Sequence, residues 1–74
     1  MNVITLAEAP LAASLTLLTV PDAHARQLSR LGLRPGAALT VLRRSTGGGR
    51  VVAVAGARVA LGSALLAGLR AEVA

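Results

Sequence analysis

The chain contains no Phe, Tyr or Trp, so every large side chain available to its core is aliphatic. Its 74 residues are enough for one domain and no more. A domain of this size buries only about 60% of the surface that its unfolded chain exposes. Because 54% of the residues are hydrophobic, we expect some apolar surface to remain for a partner protein or for another copy of the chain.

The residue types that carry most enzyme chemistry are nearly missing. There is no Cys, which excludes disulfides, thiolate metal sites and a Cys nucleophile. One His (His24) and three carboxylates (Glu8, Asp22 and Glu72) leave little for acid–base catalysis or for a metal site with several ligands. We therefore predict a protein that is not an enzyme, with no cofactor and no metal site of its own.

The charged residues are eight Arg and three acids, which give a net charge of +5. A basic excess suits nucleic acid, an acidic protein surface or anionic lipid headgroups. Arg43, Arg44 and Arg50, joined by Arg58, form a cluster across a predicted hairpin, which is either a solvated sheet edge or an anion-facing surface. The lack of aromatic side chains argues against single-stranded nucleic acid, which is usually bound by stacking.

No part of the sequence has the pattern of a membrane span, which needs roughly 18–20 consecutive apolar residues. Ala23-His24-Ala25 is similar to a signal-peptide cleavage site, but no basic residue precedes it, and Glu8 and Pro10 interrupt the apolar stretch. We interpret this segment as part of the fold. The expectation is a cytoplasmic protein that is not itself inserted in a membrane.

Short stretches of alternating polarity predict five strands, over residues 13–20, 38–44, 50–55, 58–61 and 69–73. A helix with Asp22 as its N-cap follows the first strand, and a single helical turn at residues 64–67 precedes the last. Gly56 and Ala57 are expected to form a tight reversal. Short strands joined by Gly- and Pro-rich turns favour a small β-barrel. The strand positions expected in its interior are Leu15, Leu17, Leu39, Val41, Val52, Val54, Val59 and Leu61.

The end of the predicted helix has a strong local signature. With Gly32 at the C′ position and positive φ, Leu33 would be placed against Leu28, the contact that accompanies a Schellman motif. Pro35 and Gly36 follow at once and suit the two central positions of a type II turn. The chain is therefore expected to leave the helix through two rigid glycine-dependent turns.

We expect the surface around this helix exit to bind a partner. The strands already fill the interior, so Leu28, Leu31 and Leu33 are not all expected to point inward. A rigid turn that presents an apolar side chain loses little entropy on binding, and flanking arginines would meet an acidic surface. The alternative is that all three leucines close the barrel mouth. The candidate contact residues are Leu28, Arg30, Leu31, Leu33, Arg34 and Pro35.

The pattern Leu28-x-x-Leu31-Gly32-Leu33-x-Pro35-Gly36-x-x-Leu39-x-Val41 resembles that of the FeoA family, small cytosolic proteins of ferrous iron transport. Gly56-x-x-Val59-Ala60-Leu61 and Leu69-x-Ala71-x-Val73 are similar to later parts of the family pattern. The resemblance covers roughly residues 13–73. The chain departs from the pattern at Leu11-Ala12-Ala13, where the family often has Gly, and at Leu66, where it often has Ala.

The resemblance implies that residues 1–74 form one SH3-like barrel with an accessory role beside FeoB, a membrane ferrous iron transporter with a cytosolic GTPase domain. Such a protein would act by contact and would reach the inner face of the membrane through its partner. Two alternatives stay open: a regulatory SH3-like module related to the C-terminal domain of metal-dependent repressors, and a basic RNA-binding SH3-like barrel. A homo-oligomer also stays open.

Overall fold

Short strands separated by turn-forming residues make one antiparallel sheet in the computed structural model, which describes residues 2–73. The strands are β1 (Val3–Thr5), β2 (Ser14–Thr19), β3 (Ala38–Arg44), β4 (Arg50–Val54), β5 (Ala57–Leu61) and β6 (Arg70–Val73). The helices are α1 (Ala25–Arg30) and α2 (Ser63–Leu66). Short 3₁₀ turns cover Leu6–Glu8, Asp22–His24 and Thr46–Gly48.

The strand order in the sheet is β1-β6-β2-β3-β4-β5. The two outer strands, β1 and β5, are not paired with each other, so the sheet does not close. The molecule measures 29 by 25 by 23 Å, nearly equal extents that fit a sheet curled around its own core. The predicted mainly β class is confirmed, and the barrel is open between β1 and β5.

The first strand is the element that the sequence pattern misses. Val3–Thr5 pairs with β6, but three residues are too few to show the alternation that identifies a strand. The chain turns directly after it. The Glu8 carboxylate accepts hydrogen bonds from the Thr5 backbone N–H at 3.2 Å and from its hydroxyl at 3.1 Å. Leu6 and Ala9 on this turn are buried in the core.

The helix begins differently from the prediction. A 3₁₀ turn comes first, closed by a hydrogen bond from the His24 N–H to the Pro21 carbonyl at 3.0 Å. His24 is then the residue before α1, and no side chain caps either start. The prediction that Asp22 is the N-cap is therefore wrong. The tighter turn places Asp22 inside the 3₁₀ segment, two residues before the N-cap position of α1.

The core is aliphatic and includes many residues outside the strands. Of the eight strand positions expected inside, seven are buried, and Val59 is partly buried against the same cluster. The buried residues beyond this set are Leu6, Ala9, Leu28, Leu33, Leu66, Leu69, Ala71 and Val51, and all of them except Ala71 and Val51 lie outside the strands. The helices and turns thus complete a core that the strands alone do not fill.

Candidate partner-binding groove

The end of α1 has the predicted Schellman geometry. Gly32 has a φ of +90°. The Leu33 N–H donates to the Leu28 carbonyl at 2.9 Å, and the Gly32 N–H donates to the Ser29 carbonyl at 3.0 Å. These are the two hydrogen bonds of the motif, so the prediction for Gly32 is confirmed.

The turn after the helix is also as predicted. Gly36 has a φ of +93°, and the Ala37 N–H donates to the Arg34 carbonyl at 3.0 Å, as a type II turn with Pro35 and Gly36 at its centre requires. The Gly36 N–H donates to the Leu17 carbonyl at 2.8 Å. The turn is therefore fastened to β2, and the segment between α1 and β3 is held at both ends.

The turn between β4 and β5 forms the opposite wall of the site. Ala55 and Gly56 are its two central residues, with φ values of 51° and 78°. The reversal therefore lies one residue earlier than the predicted Gly56–Ala57. A Cβ built on Gly32 would lie 2.9 Å from the Ala55 Cβ. This close approach brings the end of α1 against the β4–β5 turn.

Between these two walls lies an open groove of about 380 Å³, called here the Leu31 groove. One wall comes from residues 29–34 and the other from residues 55–59. Leu31 is 42% exposed, whereas Val59 is partly buried at the edge of the core. The groove therefore offers apolar surface next to rigid backbone.

The structure divides the six predicted contact residues. Arg30, Leu31 and Arg34 line the Leu31 groove, and Pro35 is exposed in the turn beside it. Leu28 and Leu33 are 2% and 0% exposed, so they have no surface to offer a partner. The helix buries them because the Schellman turn directs both toward the core. The prediction that Leu28 and Leu33 belong to a contact surface is therefore wrong, and because Leu31 is exposed the three leucines do not jointly close the end of the sheet.

The second wall is what sequence reasoning missed. Arg58 and Ala57 lie about 26 residues after Leu31 in the chain, and they reach the groove only because β5 folds back along β4. The sequence places Arg58 with the arginines of the preceding hairpin instead. Three arginines, Arg30, Arg34 and Arg58, are thus among the residues that line the groove. None of the three carboxylates of the chain lines it.

The other arginines do not form one basic surface. The register of β3 against β4 shifts between Val41 and Arg43, which leaves Leu42 exposed on a bulge. Arg43 then lies opposite Val51, and Arg44 opposite Arg50. Successive strand residues point to opposite faces, so Arg43 and Arg44 are separated.

The side chain of Arg50 makes its contacts within the fold. Its Nη2 donates to the Ala7 carbonyl at 3.1 Å, across the opening of the sheet. Its Nε is buried and has no hydrogen-bond partner within residues 2–73. Of the predicted cluster, Arg44 and Arg50 thus remain cross-strand neighbours, whereas Arg43 lies on the other face of the hairpin.

Within residues 2–73, no group of three or more His, Cys, Asp or Glu side chains is arranged to hold a metal ion. His24 lies on a separate depression with Pro21, Gln27 and Leu65. In the described part of the chain, no helix has the length and apolar character needed to cross a membrane.

Comparison with known proteins identifies the family. The family model of the FeoA domain matches residues 4–73. The chain belongs to the FeoA family. This family is linked to ferrous iron transport. Among proteins of curated function, no match to the sequence is found.

Solved FeoA structures have the same fold. The crystal structure of an iron uptake regulatory protein, FeoA, is 26% identical, with a TM-score of 0.88 over all of both chains. FeoA from Chlorobium tepidum is 26% identical, with a TM-score of 0.85 over 95% of this chain and 70% of that one. The zinc complex of Stenotrophomonas maltophilia FeoA, described as an SH3 domain protein, is 29% identical, with a TM-score of 0.73 over 96% and 89%. The SH3-like fold class is therefore confirmed.

The fold also occurs outside iron transport proteins. A manganese-dependent transcriptional repressor superposes on 97% of this chain with a TM-score of 0.86, at 24% identity. This chain covers 42% of that repressor. This likeness shows a shared fold alone and gives no information about metal sensing by this chain.

Proposed function

We propose that this chain is a non-enzymatic accessory protein of ferrous iron transport that binds a FeoB-type membrane GTPase transporter through the Leu31 groove. The observation that carries the proposal is the apolar groove bordered by Arg30, Arg34 and Arg58 in a member of the FeoA family. S. maltophilia FeoA is itself described as a candidate ferrous iron transport activating factor. Transport chemistry would then belong to the transporter, and this chain would act by contact from the cytoplasmic side.

The groove has two properties that suit protein contact. Leu31 is held by a turn whose backbone is already hydrogen-bonded, so little ordering entropy is lost when a partner covers it. The three arginines attract an acidic surface and raise the association rate more than the affinity. Because exposed charges are screened by salt, the association should slow as ionic strength increases.

Leu31→Ser tests the contact directly. We expect it to weaken binding to the FeoB-type transporter of the same cell, purified in detergent, by about tenfold or more, since covering a leucine contributes on the order of 1.5 kcal/mol or more. The melting temperature should stay close to that of the unsubstituted protein, because Leu31 is 42% exposed. Binding is measured by calorimetry and ferrous iron uptake by cells that carry the variant.

Leu42→Ser is the matched control. Leu42 is 40% exposed, on the β3 bulge and away from the Leu31 groove. It should bind the transporter as the unsubstituted protein does. If Leu31→Ser also binds unchanged, the contact lies elsewhere. If the unsubstituted chain does not bind the transporter at all, the proposed partnership is wrong, and binding of structured RNA that depends on Arg43 and Arg44 would favour the RNA-binding alternative.

We also expect the monomer to bind no ferrous iron with micromolar affinity. Divalent iron needs several convergent nitrogen or oxygen ligands, and the chain has one His and three carboxylates. One of these, Glu8, already accepts hydrogen bonds from Thr5. Anaerobic calorimetry is the measurement. A one-to-one micromolar isotherm would contradict the expectation, whereas a site between copies would bind fewer than one iron per chain.

A further inference from the structure

The Leu31 groove lies beside an open sheet edge. β5 is an outer strand and pairs only with β4. Val54 and Ala57 flank a two-residue turn and therefore form a hydrogen-bonded pair, after which bonded and non-bonded pairs alternate along the ladder. The backbone groups of Val59 and Leu61 consequently face β4, and those of Arg58 and Ala60 face outward.

These outward groups are free to pair with another strand. Within residues 2–73, the backbone N–H and C=O groups of Arg58 and Ala60 make no hydrogen bond to another turn or loop. Both residues are exposed, and no Pro interrupts β5. An unpaired edge of this kind is a template for one further strand.

Charge determines which segments could pair with β5 as a further strand. Arg58 lies on the edge itself, and Arg30 and Arg34 lie across the groove. A second copy of the chain also has a net charge of +5, which opposes its approach to this arginine-lined edge. Acidic side chains opposite Arg58 would stabilise the pair.

Strand alternation defines the pattern of the added segment. Val59 points to the core side of β5, beside Leu31 across the groove, while Arg58 and Ala60 point to the other side. An added strand has the same alternation. Its apolar residues would therefore lie in the Leu31 groove, and the residues between them would lie beside Arg58.

We propose that β5 takes a seventh strand from the partner protein, an extended segment in which Asp or Glu alternates with apolar residues. This inference rests on the proposed function, because it specifies how the partner fills the Leu31 groove. The segment would pair through the N–H and C=O groups of Arg58 and Ala60. The acidic residues give the segment its selectivity, and the backbone pairing gives it its direction along the groove.

Ala60→Pro tests the backbone pairing. Proline removes the outward N–H but no bond to β4, and it is tolerated on edge strands whose N–H faces solvent. Val59 before it is already extended, as a residue preceding proline should be. We expect at least a tenfold loss of binding to the purified FeoB-type transporter. The matched control, Ala60→Val, keeps the N–H and should bind within twofold of the unsubstituted chain.

Hydrogen exchange gives a second readout that needs no variant. In the complex with the transporter, the outward amides of Arg58 and Ala60 should exchange their hydrogens more slowly than in the free chain. If Ala60→Pro fails to fold, this protection still shows whether a strand pairs with β5. Absence of protection in a formed complex would overturn the inference.

The outcomes separate the two proposals. If the unsubstituted chain does not bind the transporter, the proposed function fails. If it binds and Ala60→Pro binds equally well, strand addition is overturned while the proposed function stands. If Ala60→Pro instead turns a dimer of the free chain into a monomer in sedimentation, the edge pairs two copies, and the acidic partner segment is overturned.

Discussion

Gly32→Val is expected to unfold the protein or to leave it with little of its stability. The residue has a φ of +90°, where a β-branched side chain is strained by on the order of 1–3 kcal/mol. In addition, any Cβ there would lie 2.9 Å from the Ala55 Cβ, too close for two carbon atoms. A domain of this length has a total stability of roughly 4–11 kcal/mol. Thermal unfolding followed by circular dichroism measures the loss, since the chain has no Trp or Tyr for fluorescence.

Alanine substitutions distinguish the two causes of destabilisation, backbone strain at positive φ and the close contact with Ala55. Gly36 also has positive φ, at +93°, but a Cβ there would meet nothing within 4 Å. Gly36→Ala should therefore reduce the stability only by the cost of backbone strain. Gly32→Ala should reduce the stability by more. Adding Ala55→Gly to Gly32→Ala removes the close contact, and the gain in stability beyond that of Ala55→Gly alone should equal the difference, since Ala55 itself has a φ of 51°. Equal melting temperatures for the two alanine variants would show that the approach to Ala55 costs nothing.

Leu28→Ser and Leu33→Ser are expected to have the next largest effects. Both side chains are buried, and replacing a buried leucine by a small residue costs about 2–5 kcal/mol before the cost of burying a hydroxyl is added. Leu31→Ser, three residues from Leu28 and two from Leu33, is the internal control and should lose less than about 1 kcal/mol. Urea unfolding of the three variants provides the comparison. A stable, well-folded Leu28→Ser or Leu33→Ser would place that side chain outside the core.

Much of the fold is readable from short stretches of sequence. The alternation from Leu39 to Val41 predicts a strand at residues 38–44, and the structure has β3 over the same residues. Gly32 and Gly36 predict two turns whose φ values are both positive. In each case the interacting groups lie within a few residues, so the local chain determines the conformation. β1 escapes this reasoning because it is a strand only by virtue of pairing with β6, almost 70 residues away.

One wall of the candidate site could be predicted from the sequence. Arg30, Leu31 and Arg34 follow from the helix exit, and the structure places all three on the Leu31 groove. Leu28 and Leu33 have the same residue type and nearly the same position, yet they are core. Hydrophobicity alone does not distinguish an exposed leucine from a buried one, because the difference depends on which way the Schellman turn faces the sheet.

The sequence by itself determined that this protein has an aliphatic core, a glycine-capped helix exit, a mainly β fold and very few groups capable of catalysis or metal binding. These properties depend on composition and on neighbours along the chain. The tertiary structure alone decided that Arg58 lies beside Leu31, that Arg43 lies on the other face of the hairpin from Arg44 and Arg50, and that β5 has an open edge. These depend on strand register and order, in which a shift of one residue reverses the face of every side chain that follows.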